Sequence, residues 1–222
     1  MRLEDFFRDI YVQTKIVAVE DKKLVMKCYN SSTSFKWYFI SPSFRNYPYS
    51  SDPRERMNRE INFLTYRWDS IKTPRIIDFD LEQTCLYREF IDGEEIKEIE
   101  QFEKLGKAIK YIHEQGFVMG DTKLENFIVS EGRITVIDAE QAITSNDISY
   151  RSWDLLVLSF SIAYTFIKDP LMFGKAIDSV YSSYGLSKNQ AEELLGLRSI
   201  GLISLIPFLH FSTFRKVIEK YL

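Results

Sequence analysis

At 222 residues, 45% of them hydrophobic, the chain can bury one sizeable core or two small lobes that share a cleft. A charged fraction of 27% with 15% aromatics excludes a disordered or low-complexity chain. The net charge of −3 conceals an asymmetry: residues 1–75 carry fourteen Lys/Arg against nine Asp/Glu, and residues 76–140 carry seven against sixteen.

The segment Tyr11 to Val19 alternates and is rich in β-branched residues, Glu20-Asp21-Lys22 is a polar turn, and Lys23 to Tyr29 resumes the strand. Residues 30–53 are rich in Ser, Pro and Tyr with weak periodicity, which predicts a long connection. Its aromatics (Phe35, Trp37, Tyr38, Phe39, Phe44, Tyr47, Tyr49) are too many for a free linker, so it is expected to pack on something. Asp52-Pro53 then opens a helix, with Asp as N-cap and Pro at the first helical position. Met57, Ile61 and Leu64 give that helix one buried face. Residues 75–80 and 84–90 read as an antiparallel pair around Leu81-Glu82-Gln83, ended by Ile91-Asp92-Gly93.

Phe102 to Gln115 predicts a second helix, with Phe102, Leu105, Ala108 or Ile109, and Ile112 on one stripe and Gly116 as its stop. After it come Phe127-Ile128-Val129, a Glu131-Gly132 hairpin turn and Ile134 to Ile137. From Trp153 the pattern is helical, with breaks near Asp169-Pro170, Gly185 and Pro207. The fold class expected is therefore α+β: a strand-rich front with one helix, then a helix-rich back.

Two cysteines, Cys28 and Cys85, stand in no metal-ligand or redox spacing and are expected to be reduced, buried or half-buried thiols. Met1 to Phe6 carries charges where a signal peptide needs an apolar core, so a cytoplasmic protein is expected. The most apolar stretch, Leu194 to Phe211, is interrupted by Arg198, Pro207 and His210 and reads as a buried helix pair, with no membrane span. The basic front could attract an acidic protein or RNA, but solvated faces account for it and direct nucleic-acid contact is not expected.

The chemistry concentrates in Gly120-Asp121-Thr122-Lys123-Leu124-Glu125-Asn126 and in Asp138 at the end of the following β-branched run. Phosphoryl transfer needs such a set. One carboxylate orients the attacking hydroxyl, a cation neutralises the moving phosphate, and an amide with a second carboxylate can hold a divalent metal. In order and spacing these parts resemble the protein-kinase-like fold. The nearest likeness is to its minimal, atypical branch: RIO-type kinases, the kinase subunit of the tRNA-threonylcarbamoylation complex, and lipopolysaccharide-kinase-like proteins. The resemblance covers about residues 10–165.

It implies a two-lobed fold, an N-lobe over 1–91 (with the aromatic insertion at about 30–51) and a C-lobe over 92–222, closing on ATP with Mg²⁺ or Mn²⁺. By that resemblance Asp121 is the catalytic-loop Asp, Lys123 the γ-phosphate Lys, Asn126 a metal ligand and Asp138 the second metal ligand, here in Asp138-Ala139-Glu140. Lys27 resembles the lysine that grips the α- and β-phosphates, with Glu60 as its ion-pair partner and Glu55 as the competing candidate. The backbone near Glu89 and Ile91 would pair with adenine. Asp154 resembles the helix Asp that holds the catalytic loop from below, though a carboxylate favoured by a helix N-terminus reads equally well. His113 is assigned to structure.

Three departures stand out. Residues 1–27 contain no Gly where a phosphate-covering loop would need it. Met119-Gly120 replaces the His-Arg pair that usually precedes the loop Asp, and only fifteen residues separate Asp138 from Asp154, too few for a peptide-docking activation segment. The expected activity is transfer of the ATP γ-phosphate to a hydroxyl by an atypical Ser/Thr protein kinase, acting on a protein and with a partner complex possible. The alternatives are a small sugar or lipid acceptor, or a non-catalytic assembly subunit.

Overall fold

A computed structural model describes residues 13–19, 22–30 and 46–222. Strand β1 (Thr14–Val19) pairs antiparallel with β2 (Lys22–Cys28), β2 with β4 (Cys85–Glu89), and β4 with β3 (Ile76–Asp80), giving the sheet order β1-β2-β4-β3. The expectations for residues 1–12, the Glu20-Asp21 turn and the aromatics Phe35, Trp37, Tyr38, Phe39 and Phe44 lie outside the described residues.

Helix α1 (Pro53–Thr65) starts as its sequence requires: Asp52 accepts from the Glu55 N–H and Pro53 sits in the first turn. Its buried face is Arg56, Met57, Glu60, Phe63 and Leu64, with Ile61 half-buried. Two charged residues on that face already mark it as more than packing.

Past the sheet, α2 (Ile99–Glu114) buries Phe102, Leu105, Ile109 and Ile112 at 1% exposure or less, each worth about 1.5–3 kcal/mol against exposure. Strand β5 (Phe117–Val118) leads into the 120–126 loop, which ends in a 3-10 turn at Leu124–Asn126. Strands β6 (Phe127–Ser130) and β7 (Arg133–Val136) form a hairpin. Glu131 and Gly132 both adopt positive φ (48° and 74°), the two-residue turn whose twist matches the strands. On the other edge of β7 the Lys72 backbone exchanges hydrogen bonds with Ile134 O (3.0 Å) and Val136 N (2.9 Å), which fixes the approach to Asp138.

A short β8 (Ile143–Thr144) pairs with β5. Helices α3 (Ile148–Thr165), α4 (Pro170–Tyr184), α5 (Lys188–Leu195), α6 (Ile200–Ile203) and α7 (Phe208–Ile218) complete the second lobe. The two-lobed, kinase-like α+β arrangement expected from the sequence is the one observed: a four-stranded antiparallel sheet with one helix, followed by a helical lobe.

Three expectations are corrected. Cys28 and Cys85 are not free thiols: they face each other in the β2/β4 register and form a disulfide. The spacing argument missed this because the pairing comes from strand adjacency across 57 residues. Helix α3 begins at Ile148, not Trp153, because Asp147 caps it by accepting from the Ser149 N–H. The stretch Leu194 to Phe211 is not a buried helix pair: Leu197, Phe208 and Leu209 are exposed at 86%, 90% and 68%, while Leu194, Leu202, Ile206 and His210 face inward. No helix among the described residues is long and apolar enough to cross a membrane.

Candidate active site

Period-2 alternation along β2 turns Lys27, like Tyr29 just beyond the strand, inward, both at 0% exposure. A lone ammonium there would be expensive. Lys27 Nζ is instead 2.6 Å from Glu60 Oε2 on α1, 2.7 Å from Asp138 Oδ1 and 3.2 Å from Glu140 Oε2. The Tyr29 hydroxyl also donates to Glu60 (2.5 Å). Glu55 turns away, receiving bonds from Ser50 (2.5 Å) and Arg59 (2.6 Å), so Glu60 is the partner of Lys27.

The cluster is larger than expected. Glu140 accepts from Arg56 Nη2 (2.7 Å) and Gln13 Nε2 (2.6 Å). Arg88 donates to the Ile137 carbonyl and stands 3.4 Å from Glu60. Among the described residues three cations and three carboxylates therefore meet, and of their side chains Asp138 is the one appreciably open, at 30%. Burial alone would push the Lys27 ammonium down, but Asp138, Glu140 and Glu60 together outweigh it and hold Lys27 above its ordinary value. For Glu60 burial raises the carboxyl, and Lys27 draws it only partly back.

The second half of the site comes from the loop. Asn126 Nδ2 donates to the Asp121 carbonyl (2.6 Å), and the Ile137 N–H donates to the Asn126 carbonyl (2.9 Å), which seats Asn126 next to the residue before Asp138. Lys123 Nζ is 3.0 Å from Asp121 Oδ1; burial lowers its affinity for a proton, but Asp121, with Glu125 and Asp138, more than offsets this. Asp154, fully buried, accepts from the Met119 N–H (2.7 Å) and Gly120 N–H (2.6 Å), with His113 Nε2 3.0 Å away. Asp154 therefore holds the loop from beneath, and His113, from the end of α2, supports it.

The Glu89 N–H is given to Arg75 O (3.0 Å), so an adenine edge would use other backbone groups of this segment. Glu89 and Ile91 line a cavity of about 800 Å³ with Tyr66, Trp68, Lys72 and Arg133; it shares no wall with Lys27, Asn126 or Asp138.

Glu60, Asp138 and Glu140 each bring one carboxylate oxygen within 4.8 Å of the others. Hard oxygen donors suit Mg²⁺ or Mn²⁺. Lys27 engages all three carboxylates and Arg56 also engages Glu140, so an ion there would compete with these cations; Asp138, at 30% exposure, is the most accessible of the three.

Sequence reading did not foresee Glu140, Arg56 or Arg88 in the site. The available signal was that Arg56 lies one turn before Glu60 on the face marked by Met57. Nor did it place Tyr47, Tyr49 and Gln141, although the excess of aromatics before α1 was visible.

The fold is the small antiparallel sheet with one helix followed by a helical lobe that the resemblance to the protein-kinase-like fold implies. The sequence is similar to the KEOPS complex subunit Bud32 of Pyrococcus abyssi, 28% identical over 144 residues, covering 59% of this chain and 63% of that one. It is also similar to probable bifunctional tRNA threonylcarbamoyladenosine biosynthesis proteins. That of Methanospirillum hungatei is 34% identical over 119 residues (52% of this chain, 22% of the other), and that of Methanococcus maripaludis 32% over 145 residues (62% and 26%). The chain thus spans under two thirds of the first relative and about a quarter of the others. The solved structure of WaaP in complex with acyl carrier protein aligns with 94% of this chain and 85% of that chain, at 13% identity and a TM-score of 0.46. No family model matches the chain. The relatives are those that the loop spacing led one to expect.

Proposed function

We propose that this chain is an ATP-dependent phosphotransferase that moves the γ-phosphate to a hydroxyl, as an atypical Ser/Thr protein kinase. The observation that carries the reading is the meeting of Lys27, Glu60 and Asp138 within 2.7 Å contacts, with Asn126 bonded to both the Asp121 and the Ile137 backbone. In this reading Lys27, oriented by Glu60, presents its charge to the α- and β-phosphates. Asp121 orients the acceptor hydroxyl and takes its proton, and Lys123 supplies positive charge beside it. Asp138 and Asn126 hold Mg²⁺ or Mn²⁺, which when bound neutralises phosphate charge. The backbone near Glu89 and Ile91 receives adenine.

One observation favours a small hydroxyl-bearing acceptor as the second reading. The fifteen residues between Asp138 and Asp154 are taken up by turns, β8 and the start of α3, which gives a peptide substrate no platform there. The name of one relative, a KEOPS complex subunit, supports work within a partner complex.

The test is transfer of label from γ-labelled ATP with Mg²⁺ or Mn²⁺, comparing wild type with Asp121→Ala. Wild type is expected to label protein or an added hydroxyl compound, and Asp121→Ala to fall by at least ~10²-fold while still binding nucleotide. Equal transfer by both removes Asp121 from its role. No transfer and no nucleotide-dependent thermal shift by wild type refutes the phosphotransferase.

A further inference from the structure

We propose that residues 46–50, which lead into α1, form a strap that positions the catalytic loop, and that Tyr49 is its principal positioning residue. The proposal rests on the phosphotransferase reading for its kinetic consequence and on hydrogen bonding for the rest. The Tyr49 hydroxyl donates to the Gly120 carbonyl (2.5 Å) and accepts the indole N–H of Trp153 (2.8 Å). The Tyr47 hydroxyl donates to the Gln141 carbonyl (2.8 Å), with the Val118 carbonyl 3.2 Å away. Ser50 and Gln141 exchange two bonds of 2.9 Å: the Ser50 N–H to the amide oxygen, and the amide nitrogen to the Ser50 carbonyl. Arg59 of α1 clamps the strap by donating to the Pro48 carbonyl (3.0 Å) and to the Gln141 amide oxygen (3.2 Å).

The strap therefore grips the residue just before Asp121, the segment three residues past Asp138, and α3. The rings add a second set of contacts: Tyr47 lies 4.9 Å from Tyr49 and 5.4 Å from Tyr150 between centroids.

The geometry at Gly120 explains why this matters. Asp154 holds the Gly120 N–H and Tyr49 holds the Gly120 carbonyl, so the peptide planes on both sides of the Gly120 Cα are anchored, the second being the plane that leads into Asp121. Orientation of a catalytic carboxylate follows from that plane, and a misplacement of about 1 Å can cost ~10²-fold in rate. Gly120 is suited to the place twice over. Its φ is +71°, and a Cβ there would land on the Tyr47 ring. The glycine that replaces an arginine before the loop Asp is thus matched to the strap. With no room for an activation segment after Asp138, the loop is supported from the chain ahead of α1. Burial first and then the charge of Asp121 keep the Tyr49 phenol protonated, so its donor role holds across neutral and mildly alkaline pH.

Tyr49→Phe keeps the ring and removes both hydrogen bonds. Amide hydrogen exchange over residues 119–122 is expected to accelerate at least tenfold, with the β6/β7 hairpin unchanged. Where transfer is measured, kcat should fall at least tenfold with the KM for ATP within twofold. Trp153→Phe, which removes the indole donor and trims the ring, should move both readouts in the same direction. Tyr164→Phe, which loses a hydrogen bond to the Leu205 carbonyl outside the strap, should move neither. The proposal is overturned by unchanged exchange in the loop, by a uniform rise across the whole chain, or by a change confined to KM. If wild type transfers no phosphate the functional reading falls, and the exchange data alone still decide the strap.

Discussion

Asp154 is where two readings of one residue predict different numbers. A carboxylate favoured by a helix N-terminus contributes about 0.3–1 kcal/mol and acts only within the first turn. Asp154 is well beyond that turn of α3, which begins at Ile148, and it is fully buried. Asp154→Ala would leave the Met119 and Gly120 N–H groups without their acceptor and would strip His113 Nε2 of its partner, leaving Nδ1 on the Tyr184 hydroxyl. An orphaned buried donor costs about 1–3 kcal/mol, so three such losses give about 3–6 kcal/mol after partial relaxation. For a chain of this length each kcal/mol shifts the melting temperature by about 2–4 °C, which gives a drop of about 6–24 °C. The dipole reading gives about 0.6–4 °C. Thermal unfolding at neutral pH, in low salt and again in 0.5 M NaCl, separates them, because salt screens an exposed charge far more than a buried one. A drop under about 4 °C, or one that disappears in high salt, would refute the loop-holding role.

Two further outcomes follow from the buried cluster. Lys27→Met removes the ammonium that Glu60, Asp138 and Glu140 share; breaking a buried pair costs about 3–5 kcal/mol, and the variant should also lose any ATP-dependent thermal shift. A full shift in Lys27→Met would show that the nucleotide binds elsewhere. Alkali should destabilise the fold. Lys27, Tyr29, Tyr47 and Tyr49 all hold their protons more tightly folded than unfolded, so their contribution is complete below the unfolded values near ~10 and is lost as pH rises beyond them. Melting temperature should be flat with respect to these groups up to about pH 9.5 and fall above it; a rise above pH 10 would contradict the sign.

Local signals carried much of this fold. The stripe of α2, the caps of α1 and the Glu131-Gly132 turn are each decided within a few residues, and the structure has them where periodicity and turn chemistry put them. The choice of Glu60 over Glu55 as the neighbour of Lys27 was also local, since one apolar stripe fixes which way a helix residue points. What was not legible depends on who becomes whose neighbour. The Cys28–Cys85 bond needs β2 beside β4, an adjacency no short window contains. The bond from Arg56 to Glu140 spans 84 residues, and Arg56 reads in isolation as an ordinary solvated arginine. Hydropathy misjudged Leu197 and Phe208 because it measures what a side chain prefers, not whether the fold has a neighbour to cover it.

In the triplet Asp138-Ala139-Glu140 the third residue brings a further carboxylate into the site. A carboxylate in the third position would repel Asp138 and Glu60 if it stood alone. Arg56 and Gln13 take it up, and Arg88 stands 3.4 Å from Glu60, so among the described residues three cations balance three anions. The balance ties α1 to the segment after β7 through Arg56–Glu140 and to the sheet through Glu60–Lys27. Within it Asp138 is the most open of the three carboxylates, and hence the one a divalent cation could reach, in competition with its 2.7 Å contact to Lys27. Drawing Asp138 away would leave Lys27, Arg56 and Arg88 facing only two carboxylates, a surplus of positive charge at the place where the proposed reaction brings phosphates.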